Sequence, residues 1–466
     1  MSPLSQQPLS PLDGRYRAQV AELGAYLSEA GLNRARIQVE IEWIIYLVNQ
    51  DVLGLNKSLS KSEISQLQQT ISNFDDISVA ELAKTEAVTK HDVKAVEYFV
   101  RDRLKEIGRQ DLLELTHFGC TSEDINNLSY AITIRDAVEN VWLPKAKELI
   151  ETLSKLVDST AEVSMLSRTH GQPATPTTMG KELAVFVHRL TRQVRRIETA
   201  EYLGKFSGAS GTFSAQQIAA PEANWLEVSE KFVTGLGLTW NPLTTQIESH
   251  DWQAELYGSI AHFNRILHNL CTDIWTYISI NYFKQIPAAG ATGSSTMPHK
   301  VNPIRFENAE SNLELSNAVL DSLAATLVTS RLQRDLTDSS SQRNVGVGFG
   351  HSLVALDNVI RGLGELELNA PVLAADLLDN WEVLAEAIQT VIRAEVAAGR
   401  SKIDNPYELL KELTRGKRLS ADALKEFVSG LEISQDAKNR LIALTPATYV
   451  GLAAELAKRI RENPNA

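Results

Sequence analysis

The sequence predicts an all-α protein of three helical domains with a bundle of long helices at its centre. Three observations carry the prediction. Apolar residues in the middle of the chain recur at intervals of three and four rather than two, the period of one helix face. The alternating patterns that strands need are nearly absent. Several periodic stretches run beyond about 25 residues with no glycine or internal cap, longer than most globular helices. At 466 residues the chain is also too long for a single core.

Residues 1–110 carry shorter helical patterns, interrupted at Asn73-Phe74-Asp75-Asp76 and at Gly108, and read as an N-terminal helical domain. Residues 111–364 hold the long helices. Their apolar stripes pass through Leu149, Leu153, Leu156 and Val157; through Leu183, Phe186, Val187, Leu190, Val194 and Ile197; and through Leu256, Ile260, Phe263, Ile266, Leu267, Leu270, Ile274 and Ile278. Two more follow, at Leu313, Val319, Leu320, Leu323 and Leu327, and at Leu353, Leu356, Val359, Ile360 and Leu363. Five such stripes predict a long bundle able to pack laterally against other subunits. From 365 to 466 the pattern shortens into a C-terminal helical domain. There Asn369-Ala370-Pro371 and Asp404-Asn405-Pro406 read as turns, and Ser420-Ala421-Asp422-Ala423 as a helix start. Gly346, Gly348 and Gly350 lack the spacing and preceding strand of a dinucleotide loop, so close helix packing is expected of them.

Composition excludes several function classes. Only Cys120 and Cys271 are present, and a polar run from Ser2 to Ser10 follows Met1. This argues for a cytoplasmic protein without disulfides rather than a secreted one. No stretch of about 18 apolar residues could cross a bilayer, so no membrane partner is expected. A net charge of −12 without a basic, aromatic-interleaved run argues against nucleic acid. An anionic ligand must then be held by local Arg and Lys side chains.

Four polar clusters stand outside the helical periodicity, each expected in a loop at the end of a long helix. The first is Thr121-Ser122-Glu123-Asp124-Ile125-Asn126-Asn127. It reads as a helix N-cap, and equally as an N-terminal anion site; the two readings are compatible. The second, Arg168-Thr169-His170-Gly171-Gln172-Pro173-Ala174-Thr175-Pro176, places His170 on irregular backbone, where an imidazole is available as a general acid or base near neutral pH. His91, between Lys90 and Asp92, is a second candidate; His188, His262 and His268 lie in helical patterns and read as structural. The third, Gly293-Ser294-Ser295-Thr296-Met297-Pro298-His299-Lys300-Val301-Asn302-Pro303, reads as a flexible lid bracketed by prolines. The fourth runs from Arg334 to Arg343.

This set of residues suits an elimination across a succinyl group. Taking a proton from the carbon beside a carboxylate makes a carbanion whose charge spreads into that carboxylate, and the resulting dianion must be held. Lys300, Asn302 and loop N–H groups are suitable donors, each preorganised one lowering the barrier by roughly 3 kcal/mol. A serine can act as base if its alkoxide is stabilised when a loop closes and excludes water. His170 is placed to protonate the departing nitrogen.

Gly293-Ser294, Met297, Lys300 and Asn302 resemble the signature of the fumarase, aspartase and argininosuccinate lyase superfamily. Within it the first two clusters look like the bacterial-type adenylosuccinate lyase family. The resemblance runs from Asp13-Gly14-Arg15-Tyr16 to Leu413-Thr414-Arg415-Gly416-Lys417, most of the chain. It implies an all-α fold of three domains and a homotetramer built on a twenty-helix core. It also implies release of fumarate from adenylosuccinate, leaving AMP, and from succinylaminoimidazolecarboxamide ribotide, with no cofactor or metal. Carried over by position, Ser294 is the catalytic base and His170 the general acid, while Ser295, Lys300 and Asn302 hold the succinyl carboxylates. Arg15, Tyr16, Lys90, His91, Asp92, Thr121, Ser122, Gln246, Asn308, Arg334, Ser339 and Arg343 line the nucleotide site. Val301, Ser340, Ser341 and Gln342 fall between these positions, and Lys90 stands where the family pattern has a smaller polar residue. Another fumarate-releasing lyase of the superfamily, acting on argininosuccinate, aspartate or malate, is the nearest alternative, but the nucleotide contacts from Asp13 to Tyr16 and from Arg334 to Arg343 are not what a lyase of simple amino acids requires.

Spacing supports a shared site independently. The first two clusters flank a helical stretch of about 38 residues, which separates them by roughly 60 Å if straight. They then meet only between neighbouring chains, unless Pro144 folds that stretch into a hairpin.

Overall fold

The computed structural model describes residues 8–286, 297, 300–414 and 419–462, and its fold is all-α. The chain begins with α1 (Arg17–Leu27) and α2 (Glu29–Asn49), then α3 (Lys61–Ser72), α4 (Asp76–Thr89) and α5 (Asp92–Glu106). Each start has a chemical reason. Ser28 Oγ accepts from Gly31 N–H at 3.1 Å to open α2. Ser60 and Glu63 exchange two bonds, 3.2 and 2.7 Å, as a capping box on α3. Asp75 caps α4. The breaks expected at Asn73–Asp76 and at Gly108 are the α3/α4 junction and the left-handed residue (φ +77°) after α5.

Next come α6 (Ser122–Ala137) and α7 (Leu143–Thr160), joined without interruption by a π-helical turn at Val138–Trp142. Pro144 does not break the run. The wide turn, in which Leu143 N–H bonds to Val138 O, precedes the residue that has no N–H to give. A hairpin follows, β1 (Ser164–Thr169) and β2 (Gln172–Thr178), then α8 (Met179–Glu198). Beyond β3 (Leu203–Gly204) lie α9 (Ser214–Ala219), α10 (Trp225–Gly235) and β4 (Thr239–Trp240), which pairs parallel to β3. The chain continues through α11 (Asp251–Ser279), β5 (Phe283–Gln285), α12 (Ile304–Leu327), α13 (Thr337–Gln342), α14 (Val345–Gly364) and β6 (Leu366–Leu368), antiparallel to β5. It ends with α15 (Ala370–Leu378), α16 (Ala385–Ala397), α17 (Pro406–Thr414), α18 (Ala421–Gly430), α19 (Gln435–Ala443) and α20 (Ala453–Glu462).

All five expected stripes form helices: α7, α8, α11, α12 and α14. Among the described residues only α11, at 29 residues, exceeds the expected length alone, and it contains Gly258; the run from Ser122 to Thr160 exceeds it through the π turn. Asn369-Ala370-Pro371 and Asn405-Pro406 turn out to open α15 and α17 rather than merely turning the chain, because proline suits a first helical turn. Among the described residues no helix is long and apolar enough to cross a membrane.

The chain forms two compact units. One comprises Met1–Ala146, Gln193–Arg265 and Ser311–Asp357. In it Trp43 packs against Phe206 and Phe232 with ring centroids 4.5 and 4.9 Å away, and Trp142 Nε1 donates to Ser352 Oγ at 2.9 Å. The three glycines in the first turns of α14 serve close packing as expected: a Cβ would lie 2.9 Å from Leu27 O at Gly346, from Leu320 Cδ2 at Gly348 and from Leu12 Cδ1 at Gly350. The other unit comprises Lys147–Arg192, Ile266–Glu310 and Asn358–Ala466. In it Gly180 lets the start of α8 approach the end of α7, since a Cβ there would be 2.5 Å from Ala161 Cα and 2.7 Å from Val157 O. Its C-terminal helices close a core around Ile388, Ile392, Leu424, Val428 and Leu441.

Candidate active site

The sequence-derived site residues divide between the two units. In the first, Thr121 is the N-cap of α6, and its N–H donates to Asp124 Oδ2 at 2.8 Å, so the capping reading of the first cluster holds. The cluster is not a loop, however. Glu123 to Asn127 are buried inside the helix, and the polar groups there are satisfied by neighbours rather than solvent. Asp124 meets Lys205 Nζ at 2.8 Å, both side chains fully buried, and also accepts from the N–H groups of Ser207 and Gly208. Glu123 Oε1 lies 2.9 Å from Arg334 and accepts from Asn126 Nδ2 at 2.7 Å.

From Asn126 the network runs on. Its Oδ1 accepts from Arg36 Nε at 2.9 Å, Arg36 pairs with Asp92 at 3.0 Å, and Arg343 joins Asp92 at 2.9 Å and Glu29 at 2.8 Å. Burial raises the Asp92 pKa, but the two guanidiniums outweigh it, and the carboxyl is held below the usual range. Asp92 is the first residue of α5, so its charge also complements that helix N-terminus. His91 caps α5 through Nδ1, and Lys90 ends α4 in the left-handed region (φ 56°). Arg15 is exposed in the turn before α1, and Tyr16 occupies the N-cap position of that helix with no capping bond from its side chain. Gln246 donates to Ala209 O at 2.9 Å.

The fourth cluster is the turn before α13 and α13 itself, with Ser339, Ser340 and Ser341 in the helix. Gln342 faces inward, donating to His250 Nδ1 at 3.1 Å and Gln253 Oε1 at 3.2 Å. His250 Nε2 in turn lies 3.3 Å from Asp338, which is also 3.7 Å from Arg334. Arg334, Asp338 and Gln342 are thus fixed by one largely buried polar network, and the exposed Arg343 is held through Asp92 and Glu29. Ser122 and Ser341 are half-buried at the ends of the same elements.

In the second unit the second cluster is a β-hairpin, not a loop. Its pairs are Thr169 with Gln172, Arg168 with Pro173 and Ser167 with Ala174, leaving His170 and Gly171 as a two-residue turn. Both turn residues have positive φ, 55° and 73°, as a type I′ hairpin requires. For histidine this conformation costs about 1–3 kcal/mol, a strain found where geometry serves function. The His170 side chain is exposed at the tip. Lys300 N–H bonds to Met297 O at 3.0 Å, Val301 O accepts from Gln285 Nε2 at 2.8 Å, and Asn302 immediately precedes Pro303 and α12. Asn308, one turn into α12, accepts from Asn358 Nδ2 at 3.0 Å. Ser294 and Ser295, with most of the expected lid, lie outside the described residues. Among the described residues no three His, Cys, Asp or Glu side chains converge as a metal cluster would need.

A family model described as lyase matches residues 14–316, and one described as adenylosuccinate lyase C-terminal matches residues 330–450. The chain is 47% identical over 454 residues to adenylosuccinate lyase of Escherichia coli, covering 97% of this chain and 98% of that protein. The chain belongs to the adenylosuccinate lyase family. The Haemophilus influenzae enzyme of that name is likewise 47% identical over 453 residues, with 97% and 98% covered. Two solved structures share the fold. They are 3-carboxy-cis,cis-muconate lactonizing enzyme from Pseudomonas putida (TM-score 0.72, 21% identity, 96% of this chain and 98% of that one) and fumarate lyase from Mesorhizobium sp. BNC1 (0.75, 16%, 95% and 98%).

Within this adenylosuccinate lyase family member, the sequence reading missed residues that fix the candidate site residues, Glu29, Arg36, Lys205, His250 and Asp338, and also a buried pair, Glu40 with His117. His117 N–H and Nδ1 both meet the fully buried Glu40 carboxylate, at 2.9 and 2.6 Å. Burial lowers the His117 pKa, but the Glu40 carboxylate outweighs that and raises it overall. A signal existed, since Arg36 and Glu40 interrupt the apolar run of α2 on its buried face and a buried charge needs a partner.

Proposed function

We propose that the protein eliminates fumarate from adenylosuccinate, releasing AMP, and from succinylaminoimidazolecarboxamide ribotide, releasing the corresponding carboxamide ribotide. Full-length identity of 47% to adenylosuccinate lyase carries this reading. Ser294 takes the proton from the carbon beside the succinyl carboxylate, the carbon–nitrogen bond breaks as the double bond forms, and His170 gives its proton to the leaving nitrogen. Lys300 and Asn302, with Ser295, hold the charge that develops on the carboxylate. Arg15, Tyr16, Lys90, His91, Asp92, Thr121, Ser122, Gln246, Asn308, Arg334, Ser339 and Arg343 line the nucleotide site, Arg343 sharing its guanidinium between the ligand and its two carboxylate neighbours.

The working form is a homotetramer with active sites shared between subunits, in the cytoplasm. One observation supports sharing: the helical run from Ser122 to Thr160 is unbroken at Pro144. Residues 1–110, 111–364 and 365–466 act as N-terminal, bundle and C-terminal domains. The test is the ultraviolet absorbance change on mixing protein with adenylosuccinate, with argininosuccinate, aspartate and malate alongside and products identified by mass. AMP and fumarate are expected; turnover of another substrate alone would discard the nucleotide site. His170→Ala and Ser294→Ala should each abolish turnover with substrate binding largely retained, read by equilibrium binding.

A further inference from the structure

The β1/β2 hairpin is a two-stranded ribbon, an arrangement only marginally stable by itself. Its root is anchored, with Met165 and Leu166 buried and Ser164 Oγ bonded to Ala447 O at 2.7 Å. Its tip is not: residues 168 to 173 are exposed. The cross-strand partner of Arg168 is Pro173, which has no N–H, so the ladder loses a donor one pair away from the turn.

The restraint on the tip comes from α15. Arg168 Nη2 donates to Asp376 Oδ2 at 2.5 Å, and the Tyr282 hydroxyl donates to the same oxygen. Asn380 Nδ2 steadies the acceptor, donating to Asp376 O at 2.7 Å and approaching its Oδ1 at 3.4 Å. One carboxylate therefore ties the hairpin, two residues before His170, to α15 and to the residue that leads into β5. We propose that Asp376 is a positioning residue for the elimination, holding His170 in place through Arg168. The inference rests on the reading of His170 as the general acid. Asp376 does not exchange a proton with substrate in this role; it limits how far the imidazole drifts from the leaving nitrogen.

Misplacing a catalytic group by about 1 Å can cost about 10²-fold in rate. Asp376→Asn keeps the side-chain volume and removes the charge that Arg168 and Tyr282 share. The experiment compares Asp376→Asn, Arg168→Met and the double variant with wild type, reading kcat and KM on adenylosuccinate and the unfolding midpoint, with His170→Ala as control. The expected result is a kcat loss of about 10- to 10²-fold in each single variant, KM and midpoint little changed, and no further loss in the double. Arg168→Lys, which retains charge without the planar fork, should recover part of the loss and serves if Asp376→Asn fails to fold. Full kcat in Asp376→Asn, losses that multiply in the double variant, or kcat falling only with the unfolding midpoint would overturn the proposal while leaving His170 in its role. Near-normal turnover of His170→Ala would remove His170 from the reaction, and the proposal with it.

Discussion

Removing the Lys205 ammonium should destabilise the protein by about 3 kcal/mol, and removing the Asp124 charge should cost more. Both side chains are fully buried, 2.8 Å apart. Breaking such a pair by deleting one partner typically costs about 3–5 kcal/mol, because the survivor is left uncompensated in the interior. The survivors here differ. After Lys205→Met the Asp124 carboxylate still accepts from the backbone N–H groups of Thr121, Ser207 and Gly208 at 2.8, 2.8 and 3.1 Å, so the lower end of the range applies. After Asp124→Asn the Lys205 ammonium retains only Gly208 O, at 3.0 Å, among its described acceptors. The α6 cap is weakened as well, by about 1 kcal/mol, so the upper end applies. The double variant should fall short of the sum by about 2 kcal/mol or more, since neither charge is then stranded. Urea midpoints and slopes at one fixed protein concentration give the comparison. A Lys205→Met cost below about 1 kcal/mol, or strict additivity, would refute the assignment of Asp124 and Lys205 as mutually dependent buried charges.

Gly348→Ala should destabilise by about 1–3 kcal/mol through overpacking, and Gly346→Ala by more, because its methyl meets the Leu27 carbonyl rather than a side chain that can move; thermal unfolding ranks them, and equal costs would count against the packing account. The raised His117 pKa makes its pairing with Glu40 a pH-dependent contribution. A raised folded-state value means stability fully present below the ordinary imidazole value of about 6.5 and lost as pH rises through the folded value, so the stability gap between wild type and His117→Gln should shrink from pH 5.5 to pH 9. A gap that does not change with pH would show that the imidazole is not gaining a proton on folding. Gly171→Ala meets no atom within 4 Å but sits at φ +73°, so its cost of about 1 kcal/mol should be conformational and fall on the hairpin; hydrogen exchange of the β1/β2 amides should quicken while α8 stays protected.

The helical architecture was legible because burial repeats with the helix period. The α11 stripe from Leu256 to Ile274 is buried at every position named for it, with Ile278 half-buried at the end. The hairpin was not legible, because Pro173 and Pro176 argue against a strand and its inner half is held by packing in the second unit rather than by alternation. The networks were illegible for another reason: Asp92 and Arg343, or Asp124 and Lys205, are far apart in sequence, and a single sequence carries no sign of which charges will meet.

Backbone strain discriminates further among the histidines, those the sequence singled out and those it did not. Among the described residues three histidines, His117, His170 and His250, occupy the left-handed region, with φ of 58°, 55° and 62°. A β-carbon makes that conformation costly, so it persists only where the surroundings over-determine it. Two of the three are clamped: His117 against Glu40, and His250 between Asp338 and Gln342, so their rings fix neighbouring backbone and have little freedom to act on a ligand. His170 is held the opposite way. Its backbone is fixed by the turn and by the Arg168–Asp376 bond two residues away, while its ring makes no hydrogen bond among the described residues. A rigid backbone with an uncommitted, exposed imidazole is what a group needs if it is to meet a leaving nitrogen in a defined geometry and surrender a proton there. The same strain that in His117 and His250 serves the architecture leaves the His170 ring exposed, as the general-acid role proposed above requires.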